Sequence, residues 1–177
     1  LGRTISDSPA PVDVLNATEL ERQGASDMND LLRTTVASYN VDRYPISDAA
    51  TVVRPATLRG LPPDMTLVLV NGKRRHRAAV IAELGNAQTA GSQGADITVI
   101  PTLALDRVEV LRDGAAAQYG ADAIAGVLNF RLKENREGIT FASKYGEFEE
   151  GDGELIDIGV NIGLPLTDNG FISSTLE

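Results

Sequence analysis

The chain contains no cysteine and a single histidine, His76. The first absence removes disulfides and thiolate metal sites, and it leaves the compartment open, because disulfide-free proteins occur both inside the cytosol and outside it. The lone imidazole argues against a structural zinc site. No run approaches 18 consecutive apolar residues, so no membrane-spanning helix is predicted. No basic-then-apolar leader stands at the start, and the first residue is Leu1 rather than Met, as expected of a piece of a longer chain. With 177 residues there is length for one ordinary domain with a real core and something left over.

The formal charge of −9 divides unevenly at Gly138. Residues 1–137 carry 15 Lys and Arg against 17 Asp and Glu, whereas residues 138–177 carry one Lys against 8 acids. The acidity belongs to the tail. A nearly neutral body with interspersed signs offers no electrostatic footprint for DNA or RNA, so no nucleic-acid partner is expected.

Along the body, Val12 to Leu15 alternates and reads as a strand closed by Asn16. Thr18-Glu19-Leu20-Glu21 has the spacing of a capping box, so a short helix should follow, ended by Gly24. Ser26 or Asp27 then opens a second helix with Met28, Leu31 and Leu32 on one face. Tyr39 to Pro55 loses all periodicity and reads as a loop. Met65 to Val70 is a buried strand, and Asn71-Gly72 after it tolerates the positive φ of a type I′ reversal. Residues 74–98 hold a basic cluster, a short helix candidate from Ala78 to Leu84, and a second long loop. Arg107 to Leu111 and Gly126 to Leu132 are two further strands. Four strands with short helices in irregular order predict an α+β domain.

From Gly138 the pattern changes. Ile139, Phe141, Ser143 and Tyr145 alternate with Thr140, Ala142 and Lys144, and Ile156, Ile158, Val160 and Ile162 alternate with Asp157, Gly159, Asn161 and Gly163. A third segment follows Asp168-Asn169-Gly170. Alternating segments of about ten residues, separated in turn by a long break and a tight turn, are the pattern of a transmembrane β-barrel.

The stretch "RVEVLRDGAAAQYGADAIAGVLNFRLK", residues 107–133, places about fifteen residues, mostly Gly and Ala with a single Tyr, between two strands. Its glycines at 114, 120 and 126 match neither phosphate-binding glycine motif. The stretch closely resembles the end of the plug domain of TonB-dependent outer-membrane receptors, through Leu111, Arg112, Gly114, Tyr119, Gly120, Ala125, Gly126, Val127 and Asn129. Upstream matches are Ser8 to Val12, Leu31-Leu32-Arg33, Arg59-Gly60, Asn71-Gly72 and Asp106 to Val110. Gly163-Leu164-Pro165-Leu166 before Asn169-Gly170-Phe171 resembles that family's first periplasmic turn.

The resemblance implies a plug over residues 1–137, built on a small mixed four-stranded sheet, and about two and a half strands of the surrounding barrel over 138–177. It implies a Gram-negative outer-membrane location, with the plug inside the barrel and reachable from the periplasm. Coupling to TonB would run through a box upstream of residue 1, and the ligand would be a small molecule, an iron-siderophore-type chelate first. Small residues then serve packing, since a barrel of about 22 strands is filled by its plug and backbone must pass close to backbone.

Ligand-facing apical loops would hold Tyr39, Asn40, Arg43 and Tyr44 in one segment and Arg77, Asn86, Gln88 and Gln93 in another. Arg59 and Arg112, each at a turn, are expected to hold carboxylates of the barrel wall. The cluster Lys73 to Arg77 would attract an anionic chelate or pair with wall acids. Residues 147–154 are acidic without the spacing of a calcium loop. Nothing poises a nucleophile or an acid–base pair, so no enzyme and no cofactor are expected. The alternative is a free periplasmic α+β binding or protein-interaction domain whose tail forms an ordinary antiparallel sheet.

Overall fold

The structure is a computed structural model and describes residues 12–22, 27–41, 53–81, 91–113, 115–147 and 153–177. A five-stranded mixed sheet forms the centre. Its strands are β1 (Val12–Asn16), β4 (Thr66–Val70), β5 (Lys73–Arg74), β6 (Leu105–Leu111) and β7 (Gly126–Leu132), in the order β1-β6-β7-β4-β5. All neighbours are antiparallel except β4 and β7, which run parallel from Thr66↔Gly126 to Val70↔Phe130. The sheet thus has five strands, not four. The extra one, β5, is only two residues long and polar, too short to carry a period. A separate pair, β2 (Tyr39–Asn40) and β3 (Thr57–Leu58), lies within and just after the stretch expected to be loop.

Among the described residues the α-helices are α1 (Ala17–Glu21), α2 (Met28–Thr35) and α3 (Ala116–Tyr119). Helix α1 starts straight out of β1, so its cap is not at Thr18. Asn16 is the N-cap, and its backbone N–H donates to the Glu19 carboxylate at 3.1 Å. Asn16 also closes the β1 register opposite Arg107, leaving no residue between strand and helix. Asp27 caps α2, accepting from the Asn29 backbone N–H at 2.7 Å. Residues 78–81 are not helical, and the rest of the helix expected up to Leu84 lies outside the described residues.

The sheet has two unlike faces. On one, Leu20, Met28, Leu31 and Leu32 pack over Val68, Val108, Val110, Leu128 and Phe130 to make the main core. On the other, Leu67, Leu69 and Val127 are covered by Ala115 and Ala123 with Leu111 and Tyr119 at the margin. The small-residue stretch is therefore a lid of alanines on the second face, thin enough for the backbone to lie close to the strands.

The tail forms its own sheet of β8 (Gly138–Gly146), β9 (Leu155–Pro165) and β10 (Phe171–Leu176), antiparallel in the order β10-β9-β8. Leu166 and Gly170 close the tight turn with a 2.8 Å backbone bond. Alternation sends Ile139, Phe141, Tyr145, Ile156, Ile158, Leu164, Ile172 and Leu176 to one face, where each is 49–73% exposed. The opposite face carries Thr140, Ala142, Gly159, Asn161, Gly163, Ser173 and Thr175 and meets the rest of the chain. A Cβ on Gly159 would lie 2.8 Å from Leu103 Cδ2, and one on Gly163 2.6 Å from the Asn135 carbonyl oxygen. Among the described residues no helix is long and apolar enough to cross a membrane, which says nothing of strands.

Two glycines separate conformation from close packing. Gly126 has φ +143°, and a Cβ there would sit 2.4 Å from the Leu111 carbonyl oxygen, whereas Gly72, at φ +76°, faces open space. Gly126→Ala should cost about 3 kcal/mol or more, because both strain and a backbone clash must be relieved. Gly72→Ala should cost only about 1 kcal/mol for the left-handed backbone. Urea unfolding of both variants checks the order, and equal losses would contradict the close-packing account.

Candidate functional site

The motif positions converge at the ends of β6 and β7. Arg112, just past β6, reaches back to β1: its Nη2 donates to Asp13 Oδ1 at 2.8 Å, and its Nε lies 2.7 Å from Oδ2. Arg59 holds a left-handed backbone at φ +58° beside Gly60, and its Nη1 donates to the Arg112 carbonyl at 3.3 Å. Arg59 thus reaches the Arg112 backbone, and the Arg112 side chain is held by a carboxylate of its own sheet. The long range between Asp13 and Arg112 hid that partner from the sequence.

At the other end of β4 the Asn71-Gly72 reversal has φ +50° and +76°, as the type I′ reading requires. Asn71 is also a tie: its N–H donates to the Phe130 carbonyl at 2.9 Å, and its Oδ1 accepts from the Leu132 N–H at 2.9 Å. Asn129 Oδ1 accepts from the Gly72 N–H at 3.0 Å, while its Nδ2 donates to Glu109 at 2.7 Å. Glu109 in turn takes Arg107 at 2.8 Å. Bonds to these two carboxylates, Glu109 and Asp106, raise the Arg107 pKa against the lowering effect of its burial. Both asparagines therefore fasten the parallel β4–β7 pair.

The basic hairpin closes onto the small-residue stretch. Arg74 Nη1 donates to Asp122 Oδ2 at 2.5 Å, its Nη2 donates to the Tyr119 carbonyl, and Arg77 Nη2 reaches Asp122 Oδ1 at 3.4 Å. Gly120 takes a left-handed backbone at φ +96° beside Arg74, and a Cβ there would meet Nη2 at 3.5 Å, an ordinary van der Waals distance. Beside this cluster lies a recess of about 300 Å³ lined in part by Asp64, Thr66, Arg75, His76 and Gln93. Gln93 is partly spent, its Nε2 donating to the Ala78 carbonyl at 2.6 Å.

Tyr39 departs from the expectation. It is 2% exposed, in the main core, and its hydroxyl donates to Asn29 Oδ1. A phenol that pairs in β2 against α2 offers no surface to a ligand. Burial, aided by the nearby Asp30 carboxylate, pushes its pKa far above the ordinary tyrosine value. Asn40 is exposed, and its carbonyl accepts from the Thr57 hydroxyl at 2.8 Å. Arg43, Tyr44, Asn86, Gln88 and Gly114 lie outside the described residues.

Contacts that sequence reasoning missed hold the tail sheet together and tie it to the segments beside the five-stranded one. Asn161, 2% exposed, donates to Ser173 Oγ, the Ser174 carbonyl and Thr175 Oγ1, and its Oδ1 accepts from Asn135 Nδ2 at 2.7 Å. The Glu177 carboxylate accepts from the Thr102 hydroxyl at 2.6 Å and the Leu103 N–H at 3.0 Å. The one available signal was a polar Asn at an inward position of an alternating strand. Among the described residues no group of three His, Asp or Glu could hold a metal.

This arrangement, a mixed sheet with an alanine lid joined to a meander of long strands, is shared with solved receptor structures. The siderophore receptor PirA from Acinetobacter baumannii aligns with a TM-score of 0.64 and 24% identity over 97% of this chain and 25% of that one. The ferric yersiniabactin uptake receptor FyuA from Yersinia pestis aligns at 0.65 and 18% identity over 98% and 24%. The family model for the TonB-dependent receptor plug domain matches residues 4–127, and the chain belongs to that family. Among curated relatives, the ferric enterobactin receptor of Pseudomonas aeruginosa is 29% identical over 164 residues, 89% of this chain and 21% of that protein. The vitamin B12 transporter BtuB of Vibrio cholerae is 28% identical over 147 residues, 81% and 21%. The chain spans about a fifth of the length of these relatives.

The raised Tyr39 pKa has a signed consequence. The unfolded phenol ionises near pH 10 while the buried one stays protonated, so the unfolded state binds fewer protons above that pH. The Tyr39 contribution to stability is fully present below about pH 10 and is lost as the pH rises further. Denaturant midpoints at pH 8 and pH 11 should fall more steeply for the natural chain than for Tyr39→Phe. Parallel falls would refute the assignment.

Proposed function

We propose that this chain is the gate, with the first wall strands, of a TonB-dependent outer-membrane transporter for an iron-siderophore-type chelate. The observation that carries the reading is the reversed polarity of the tail sheet. Its small and polar face, which includes the buried Asn161, meets Leu103 and the connector residues Asn135 and Glu137, and its apolar face is bare over three strands. An ordinary two-layer domain buries the apolar face instead, which counts against a free periplasmic domain. In a barrel the bare face meets lipid and the polar face meets the lumen.

On this reading residues 138–177 open the barrel and residues 1–137 fill it. The relatives' names, ferric enterobactin receptor and siderophore receptor, supply the ligand class. Ligand would meet the outward loops, through Asn40, Arg43 and Tyr44 on one side and Arg77, Asn86, Gln88 and Gln93 on the other. Arg59, whose one hydrogen bond above goes to a backbone carbonyl, retains donors for a wall carboxylate. TonB would engage a segment N-terminal to the sheet and draw on β1, its edge strand. The chain's own work is differential binding and a seated-or-displaced choice, not bond chemistry.

The test is uptake by source cells of radiolabelled ferric enterobactin, with and without the parent gene, combined with immunoblots of fractionated membranes grown with and without iron. A heavy outer-membrane band that rises in iron starvation, with uptake lost on deletion, is the expected result. A band confined to the soluble periplasm would overturn the reading. Heavy-band assembly without any loss of iron uptake would move the ligand class elsewhere. The wall assignment has a separate check. Ile158→Lys, on the bare face, should cost about 2–4 kcal/mol at mid-membrane and deplete the receptor from the outer membrane. Thr140→Lys, on the opposite face, should leave the amount unchanged.

A further inference from the structure

Two recesses separate the inward face of the tail sheet from the body, and they lie end to end along β9. One, of about 420 Å³, follows Leu155, Ile156 and Asp157 and faces Asp27 and residues 98–102. The other, of about 450 Å³, begins at the same Asp157, passes Gly159 and extends down β8 to Thr140, the register partner of Asn161. At about 3.3 Å per residue the pair follows β9 for roughly 20 Å, a large part of the depth of a wall whose apolar band is about 25 Å tall.

Thr102, Asp157 and Glu177 line both recesses, and two of the three are bonded to each other across the boundary. The Glu177 carboxylate engages both of its oxygens there: Oε1 accepts from the Thr102 hydroxyl at 2.6 Å, and Oε2 accepts from the Leu103 N–H at 3.0 Å. The first distance is that of a charge-assisted O–H···O bond. Beside this bridge Leu103, only 8% exposed, presses hydrocarbon into the wall. A Cβ at Gly159 would lie 2.8 Å from Leu103 Cδ2, with the Leu176 carbonyl oxygen and Glu177 Cγ at 3.6 and 3.7 Å from the same point. A polar tie and an apolar peg therefore meet at one level of β9. The turn Thr102–Ala104 that carries them is braced from behind, since the Ala104 N–H donates to the Pro101 carbonyl at 3.1 Å and the Ala104 carbonyl accepts from the Lys133 N–H at 2.8 Å.

We propose that Thr102 and Leu103, set against Glu177 and Gly159, form a bar across the seam between gate and wall, which keeps small water-soluble solutes in the outer recess from entering the inner one while the gate is seated. The inference rests on the reading of this chain as a gate with its first wall strands. On that reading the recess at Leu155 adjoins the long outside break and opens to the cell exterior, and the recess at Gly159 lies deeper. Below the inner recess the seam closes a second time, through the Asn135–Asn161 bond and the packing of Gly163 on the Asn135 carbonyl. Releasing the bar therefore deepens solute access without opening a channel across the membrane.

The test labels the full-length parent receptor in intact source cells with a small, membrane-impermeant methanethiosulfonate. One cysteine is introduced at a time, Val99→Cys in the outer recess or Ala142→Cys in the inner, and the parent without an introduced cysteine is the blank. Val99→Cys, at a position 56% exposed, should react fast in every background. Ala142→Cys should react slowly with the bar intact and about tenfold faster or more with Glu177→Ala or Thr102→Val, because the label reports the open fraction and a bridge of charged hydrogen bonds is lost. Thr102→Ser, which keeps the donor, should keep the slow rate, and Glu177→Gln, which keeps one acceptor oxygen, should fall between. A merely structural tie would change the amount of receptor in the outer membrane and leave the ratio of the two labelling rates unmoved. Equal Ala142→Cys rates in the natural and Glu177→Ala backgrounds, with Val99→Cys reactive, would overturn the bar alone. No reaction at Val99→Cys in a receptor that reaches the outer membrane would overturn the outward placement of the recess, which belongs to the underlying reading, and the bar with it.

Discussion

Backbone meets backbone where β6 gives way to β7, and the body of the molecule depends on that approach. A side chain at Gly126 would collide with the Leu111 carbonyl, and the next residue, Val127, must pair with Leu111 on one side and Leu67 on the other. Ala125 bonds the Met65 carbonyl at 2.9 Å at the same place. Only because these chains come so close can β7 enter between an antiparallel and a parallel neighbour. The alanine lid follows from the same constraint. Wider side chains at Ala115 and Ala123 would lift the segment and open Leu67, Leu69 and Val127 to water.

The tail sheet obeys the opposite rule. Its contact with the body is made by glycine and hydrogen-bonding side chains, and its hydrocarbon is left outside. Asn161 is the hinge of this design: it is buried, and its amide bonds two β10 side chains, one β10 carbonyl and Asn135 of the connecting segment. A buried amide so fully paired specifies one register, because a one-residue slip would turn it to the apolar face and leave four partners unmet.

Much of the fold was legible because long elements repeat a period. The β4 and β7 strands, the apolar face of α2, and the two full alternating runs of the tail follow directly from residue spacing. What was not legible is short or long-range. Two-residue strands such as β2, β3 and β5 have no period to read. The α1 cap moved from Thr18 to Asn16 because nothing local tells that the strand runs straight into the helix. Tyr39 looked like a loop aromatic, since its partner Asn29 lies ten residues earlier and its burial depends on α2. The charge cluster shows the same limit. Five basic-hairpin residues were visible, yet Asp122, which sits 48 residues beyond Arg74, could be matched to them only in three dimensions.

One feature of the edge strand bears on mechanics. The register of β1 begins with Val12 opposite Leu111, and the Asp13–Arg112 pair sits at that same end. Tension applied to the chain before Val12 and directed across the strand arrives first at the ion pair and the outermost rung, and the remaining rungs are loaded one after another as each gives way. A ladder peeled in that order resists with the strength of a single rung at a time, so the work of removing β1 is spread over distance and the peak force stays low.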